Sequence, residues 1–391
     1  MSARRVRLGF RRLRFGRARL VAVETGLGGV AAGLAARGAW GHWGYAVVGA
    51  GALLALAALA RFRGEWADRR LLARLRRGRL AVAPPTAPRA RGLGVARALL
   101  PALTVTEFAD RNTPGGRGLG VVSDGRGHAA VAAFPGGTLP ALPAGIVARW
   151  LADDPARPAA AQLVVEQFGV WSRDFHHRFQ PTVAYRQLPT GGRPVAVRSW
   201  LVVRFEPLDA PEAAARRGGG EDGARAAVAA AAARLRARLA AHGAPTTPLD
   251  PAQARQLLRQ LGDPEPNGRV MPSGWAGAAA THTTLTADVA SQDDWRRLLS
   301  GMEGCAADRV VAAATLTAPG GDLRVRTAVR VVSPLAQHAM AQRDRLRAAG
   351  VAGPPAADQA AGLLATLPLA YPSRPLDEAT GFAAPGDSRG R

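Results

Sequence analysis

Lysine is missing from all 391 residues, so the 52 basic side chains are Arg, set against 29 Asp and Glu. That absence excludes a P-loop lysine, a Schiff-base lysine and a kinase-type lysine. Cysteine occurs once, as Cys305, which excludes an intramolecular disulfide framework and a cysteine-based zinc site. A single thiol also fits a reducing compartment for the bulk of the chain. There is no H-E-x-x-H pair, so a common metallohydrolase signature is absent.

The excess positive charge, +23 overall, is unevenly placed. Residues 1–91 hold 19 Arg against Glu24, Glu65 and Asp68, whereas the remaining 300 residues hold 33 Arg and 26 acids. A nucleic-acid-binding domain would carry its charge along a folded surface, with stacking aromatics or zinc spacing. Here the charge flanks two apolar runs, so no nucleic-acid partner is expected.

Those runs are Leu20–Ala36, 17 residues with Glu24 as their one charge, and Trp43–Ala60, 18 residues with none. At 1.5 Å per residue each helix spans roughly 26 Å, close to a bilayer's apolar thickness of about 30 Å. Two such runs in succession, bounded by Arg clusters, predict a transmembrane hairpin in preference to a signal peptide. Eight Arg between residues 4 and 19 and eight between 61 and 79 place both ends in the cytoplasm by the positive-inside rule. The connecting "RGAWGHWGY" then lies outside, with Trp40, Trp43 and Tyr45 as interfacial aromatics and Gly38, Gly41 and Gly44 permitting the reversal. The location expected is the plasma membrane, with two helices and membrane lipids as neighbours.

Within the first run "GLGGVAAG" imitates a dinucleotide fingerprint at Gly26, Gly28 and Ala31, but no strand precedes it. Gly29 and Gly33 share a helical face, and Gly51 and Ala55 offer a matching small-residue patch on the second helix, so these four are the predicted helix-packing positions. Glu24 lies little more than a turn from Arg19, where snorkelling or local pairing is expected.

Beyond the hairpin the chain reads as a basic N-terminus (1–19), a hairpin (20–60), a basic juxtamembrane helix and Pro-rich linker (61–100), an α+β domain (101–350) and a mostly disordered tail (351–391). Residues 62–80, with Leu71, Leu72 and Leu75 clustered among Arg, predict a helix that is either solvated or laid along anionic headgroups. "APPTAP", Ala83–Pro88, breaks it. Strands are predicted at "LTVTEFADR", on both sides of the Ser123–Asp124–Gly125 turn, at "AQLVVEQFGV", Thr182–Gln187, Val195–Phe205, Thr281–Val289, "RVVAAATLTA" and "LRVRTAVRVV". Helices are predicted near Ile146–Leu151, at 221–243, 250–262, 291–302 and Pro334–Ala349, and a short one at Ala357–Leu367. Runs of strands broken by helices predict an α+β fold with a mixed or antiparallel sheet and flanking helices. No repeat of fixed period is visible.

Chemistry-bearing candidates are few. Asp174, His176 and His177 in "RDFHHRF" cluster in sequence, but adjacent residues on a strand point to opposite faces. Glu166 and Glu206 could face each other in a cleft; an alternative reading is a membrane-anchored enzyme acting on a lipid or nucleotide-linked substrate, with acids such as Glu166 or Asp174 in its cleft. Cys305 has no histidine motif beside it and reads as an unreactive small residue. "TPGGRGLG", Thr113–Gly120, reads as a glycine-rich turn. In "RRGGGEDGAR", Glu221 and Asp222 favour helix capping over phosphate binding.

The Arg-rich start leading into "RLVAVETG", the hairpin ending in "ARFRG", "VTEFADRNTPGGRGLGVVSDGRGHAAV" and "SWLVVRFEPLDAPEAAARRGGGEDGARAAVAAAAARLRARL" together resemble the EccE subunit family of type VII (ESX) secretion systems, over roughly residues 10–240 and more weakly after 250. The resemblance implies a non-enzymatic structural component of an actinobacterial plasma-membrane complex. It implies as partners EccB, EccD and the FtsK-like ATPase EccC, and it supplies no cofactor, metal or catalytic residue.

Overall fold

The computed structural model describes residues 17–62, 65–66, 93–109, 118–136, 140–168, 196–271, 273–318 and 323–371. They fall into two compact units, one N-terminal and one spanning Val82–Ser373.

The N-terminal unit is a helical hairpin: α1 (Arg17–Ala35), a short α2 (Arg37–Trp40) and α3 (His42–Leu59). Runs of Ala and Leu favour helix, and the chain reverses through Gly41, whose φ of +52° is cheap only for glycine. The connection is more helical than a six-residue turn. It contains α2, and Trp43 and Tyr45 fall in the first turn of α3. The helix α3 is long and apolar enough to cross a membrane, while the apolar stretch of α1 is the shorter Leu20–Ala35. Instead of opening the predicted 62–80 helix, Arg61–Phe62 (β1) and Glu65–Trp66 (β2) form a two-residue antiparallel ladder. The remainder of that expected helix lies outside the described residues, as do the Ala83–Pro88 break, the expected strand at Thr182–Gln187 and the tail beyond Tyr371.

The second unit is α+β, built on one large sheet in which every strand pairing is antiparallel. Its strands are β3 (Thr104–Phe108), β4 (Leu119–Ser123), β5 (His128–Ala133), β6 (Ala160–Phe168), β7 (Ala196–Phe205), β8 (Thr247–Pro248), β9 (Gly268–Met271), β10 (Gly274–Gly277), β11 (Thr281–Ala287), β12 (Arg309–Thr317) and β13 (Arg324–Ser333). They lie in the order β3-β4-β5-β7-β6-β12-β13-β11-β10-β9, with β8 beside β5.

Helices cover both faces. On the first lie α5 (Ala144–Asp153), α6 (Pro211–Ala215), α7 (Gly220–Ala241), α9 (Gln292–Glu303) and α10 (Ala336–Ala348), packed on Leu163, Val165, Leu201, Val203, Val310 and Val331. On the second lie α4 (Gly94–Leu99), α8 (Pro251–Leu261) and α11 (Gln359–Ala365), packed on Val131, Val164, Val202 and Val311. Double coverage explains why β6 and β12 are buried at every residue, and why neither shows the apolar–polar alternation of a one-faced antiparallel sheet.

The strand order is palindromic, and the unit is an internal duplication. Each half runs three strands, a helix, a strand hairpin, a long helix (preceded in the first half by the short α6), a short bridge to the third strand and a final helix. The pairs β6/β12 and β7/β13 match in length, nine and ten residues. Val164 pairs with Ala313 at the middle of the β6–β12 seam. After α7 the chain turns through Gly243, φ +79°, with Ala244 donating its N–H to the Leu239 carbonyl; after α10 it turns through Gly350, φ +67°, with Val351 donating to Leu346. Pro248 then bridges to Ala132, as Pro355 bridges to Leu285. No fixed period could reveal this, because α7 has 22 residues and α10 has 13.

The unit also extends past the expected limits of 101–350. Val95, Ala96 and Leu99 of α4 and Leu363, Leu364, Leu367 and Leu369 around α11 are core residues on the second face.

Candidate functional site

Three features remain once the core is accounted for: the packed seam of the hairpin, two buried ionic clusters and an apolar groove.

In the hairpin, close approach of backbone sets the glycine positions. A Cβ at Gly26 would stand 2.8 Å from both the Ala55 nitrogen and the Gly51 oxygen, and one at Gly51 2.6 Å from the Gly26 oxygen. Of the four predicted packing residues, Gly29 lies 3.5 Å from Gly51 by the same construction, whereas Gly33 meets Gly44 and Val48. Gly26 and Gly44 are seam residues that the small-residue spacing did not identify. Trp40, Trp43 and Tyr45 are exposed, and Leu27, Leu34, Leu53 and Leu56 also turn outward. The hairpin's outer surface is therefore apolar, and single scattered apolar residues would not produce that.

The first ionic cluster closes the β4–β5 turn. Asp124 Oδ1 accepts from the backbone N–H of Arg126 and Gly127, and Asp124 also pairs with Arg204 at 2.9 Å. Glu206 accepts from Arg204 Nε at 2.9 Å and from Arg126 Nη2 at 2.9 Å, and Arg204 Nη1 donates to the Leu369 carbonyl. Burial alone would lower the Arg204 pKa, but Asp124 and Glu206 hold it above its ordinary value.

The second cluster lies on the second face. Glu166 pairs with Arg198 at 2.6 Å and with Arg309 at 3.2 Å, and Arg198 also donates to Gln260. Beside it Arg330, fully buried, donates to His282 Nδ1 at 2.9 Å and to the Leu261 carbonyl at 2.6 Å. With those neutral partners, burial and the Arg309 charge push its pKa down to about 9. His282, pushed down to about 4 by burial, is a neutral imidazole whose Nε2 stands 3.8 Å from Asp263. Asp263 in turn accepts from the backbone N–H of Glu265, Ala279 and Ala280, and these together with the nearby His282 hold its pKa low against the effect of burial.

Glu166 and Glu206 therefore do not converge. Glu166 pairs in register with Arg198 near the start of β7, whereas Glu206 follows the end of that strand. Each carboxylate is engaged by two Arg, so the two do not form a pair of carboxylates for acid–base chemistry. Cys305 donates to Gln342 and burial raises its pKa, so it stays a thiol. Glu221 and Asp222 lie in the first turn of α7 and pair with Arg225; the N-cap itself is Gly219, with no side-chain cap. Asp174, His176, His177 and residues 113–117 of the glycine-rich turn lie outside the described residues. Among the described residues no group of three or more His, Cys, Asp or Glu is placed to hold a metal ion.

The groove opens on the first face where α5 begins and α7 ends. It encloses about 350 Å³ between Phe134, Ile146, Leu239 and Ala244, with Pro135, Pro140, Pro143 and Pro245 around it and Ser199 and His242 as its polar members.

Residues 194–301 match the family model described as "Putative type VII ESX secretion system translocon, EccE". The matched stretch runs from β7 through α7 and α8 to α9, so it crosses the middle of the duplication and continues past residue 250, where the resemblance read from the sequence was weaker. The resemblance to the EccE family is shown over this stretch. No curated protein matches the chain.

Proposed function

We propose that this EccE-like chain is a membrane-anchored, non-enzymatic structural component of a type VII secretion complex, and that its α+β unit braces the complex on the cytoplasmic side. The observation that carries the reading is the family match on the α+β unit of a chain that also holds a hairpin with an apolar outer surface. The hairpin would span the membrane, with Trp40, Trp43 and Tyr45 at the outer interface and the two Arg clusters inside. Gly29, Gly33, Gly51 and Ala55 would let helices approach closely within the bilayer. Expected neighbours are EccB, EccD and EccC-type subunits, and energy for transport would come from the ATPase.

The bracing role agrees with the buried chemistry. Every charged cluster described above ties strands, turns and helices together, as a stiff body would require. Mild-detergent extraction of the tagged chain from native membranes tests the reading. A large particle containing an FtsK-like ATPase and other membrane subunits is expected; a lone, stable monomer or dimer would overturn it.

A further inference from the structure

The groove between α5 and α7 has no counterpart in the function proposed so far. A cavity of about 350 Å³ has room for roughly a dozen waters at liquid density, yet its walls are mostly carbon and give water few hydrogen-bond partners. An apolar group is the better filling. Pro143 and Pro245 fix the backbone φ where α5 begins and just after α7 ends.

The two halves differ at the turn that borders the opening. At the corresponding turn of the second half Val351 stands where the first half has Ala244. The Val351 methyls lie 2.5 Å from where a Cβ on Gly301 would be, so that turn is seated on α9. In the first half Ala244 faces the groove.

Charge selects the occupant. Arg149 lies one helical turn beyond the lining residue Ile146, and Arg238 one turn before the lining residue His242. Both are exposed, and neither makes an ion pair with any described residue within 4 Å. Asp153, exposed one helical turn beyond Arg149 at the end of α5, does not come within 4 Å of it.

We infer that this groove is a docking site for a protein segment of a neighbouring subunit, one that inserts a single bulky apolar side chain and carries Asp or Glu on either side of it. The apolar side chain fills the cavity as an anchor, and the flanking acids meet Arg149 and Arg238 at the rim, where they set register and orientation more than affinity. The inference rests on the assembly reading above.

A photoreactive phenylalanine analogue placed at Ile146 in the full chain, irradiated in native membranes before extraction, tests it. The expected result is an adduct to another subunit of the extracted particle, mapping within a few residues of an Asp or Glu. Its yield should fall at least fivefold when R149E and R238E are combined, and again when A244W fills the groove. An intact particle in which Ile146 reacts only with lipid or with its own chain would overturn the docking site and leave the assembly reading standing. So would an adduct yield unchanged by both the charge reversals and A244W. If no particle forms at all, the assembly reading fails, and the docking site fails with it.

Discussion

In the first half of the α+β unit, Arg204 is buried between two carboxylates, Asp124 and Glu206. In the second half, Arg330 is buried just as deeply against an imidazole and a carbonyl. The strands are duplicates, but the chemistry inserted into them is not. Arg204 compensates two buried negative charges, while Arg330 adds positive charge beside Arg309. Equal burial therefore does not mean equal contribution to stability.

Replacing each arginine with Met should expose that difference most strongly. R204M leaves Asp124 and Glu206 facing each other in the interior with only Arg126 to compensate, a loss of about 3–5 kcal/mol for a broken buried ionic network. R330M leaves one nitrogen and one carbonyl without a donor but relieves a guanidinium held below its ordinary pKa, so a net loss of about 1–2 kcal/mol is expected. Denaturant titration of the two variants measures both. Equal losses would mean that the clusters are energetically alike.

Acid should loosen the second half first. His282 has a folded pKa of about 4 against 6.5 when free, so the unfolded chain binds the extra proton between those values. Stability from this group is fully present above pH 6.5 and falls as pH drops toward 4, by up to about 3 kcal/mol. Asp263, also held below its ordinary value, adds a loss only at still lower pH. H282Q should flatten the slope of melting temperature against pH between 6.5 and 4. An unchanged slope would place the acid sensitivity elsewhere, for instance at His128, whose pKa burial also lowers.

The two helix-end turns should differ on a smaller scale. G301A forces a methyl toward Val351 and should cost about 1–3 kcal/mol, with V351A in the same chain restoring most of it. A244V adds two methyls where there is open volume, so a change within about 0.5 kcal/mol is expected. Thermal unfolding of the three variants checks whether one turn is packed and the other open.

Much of this architecture was legible from local signals. The strands β6, β7, β11, β12 and β13 and the helices α5, α7, α8, α9 and α10 carry long apolar or periodic runs, and their sequence limits agree with the structure to within about two residues. The short elements α4, α6 and β8 and the β9–β10 hairpin carry too few residues for a period to show. The duplication was not legible, because its likeness resides in strand order and hydrogen-bond register and in only a few shared residues, such as Gly243 and Gly350, at unequal spacings. Glu166 and Glu206 were visible as acids that could face each other in a cleft, but burial against Arg198, Arg309, Arg126 and Arg204 is a tertiary property. The groove depended on Phe134, Ile146, Leu239 and Ala244 meeting across more than a hundred residues, which no local pattern encodes.

The smallest expected difference separates the N-caps of α8 and α11. Asp250 and Asp358 hold equivalent places after the bridging prolines, and each accepts from backbone N–H groups of its helix, Gln253 for Asp250 and Ala360 and Ala361 for Asp358. Only Asp250 is answered, by the Gln253 side chain accepting from its own N–H, which completes a capping box. Its helix is also longer, and it packs Leu257, Leu258 and Leu261 into the second face. D250A should therefore cost about 1–2 kcal/mol and D358A nearer 0.5–1 kcal/mol. Hydrogen exchange at the first turns of α8 and α11 reads each cap directly. If D358A loosened its helix more than D250A, the second-face helices would depend on the chain after the duplication more than on the link between its halves.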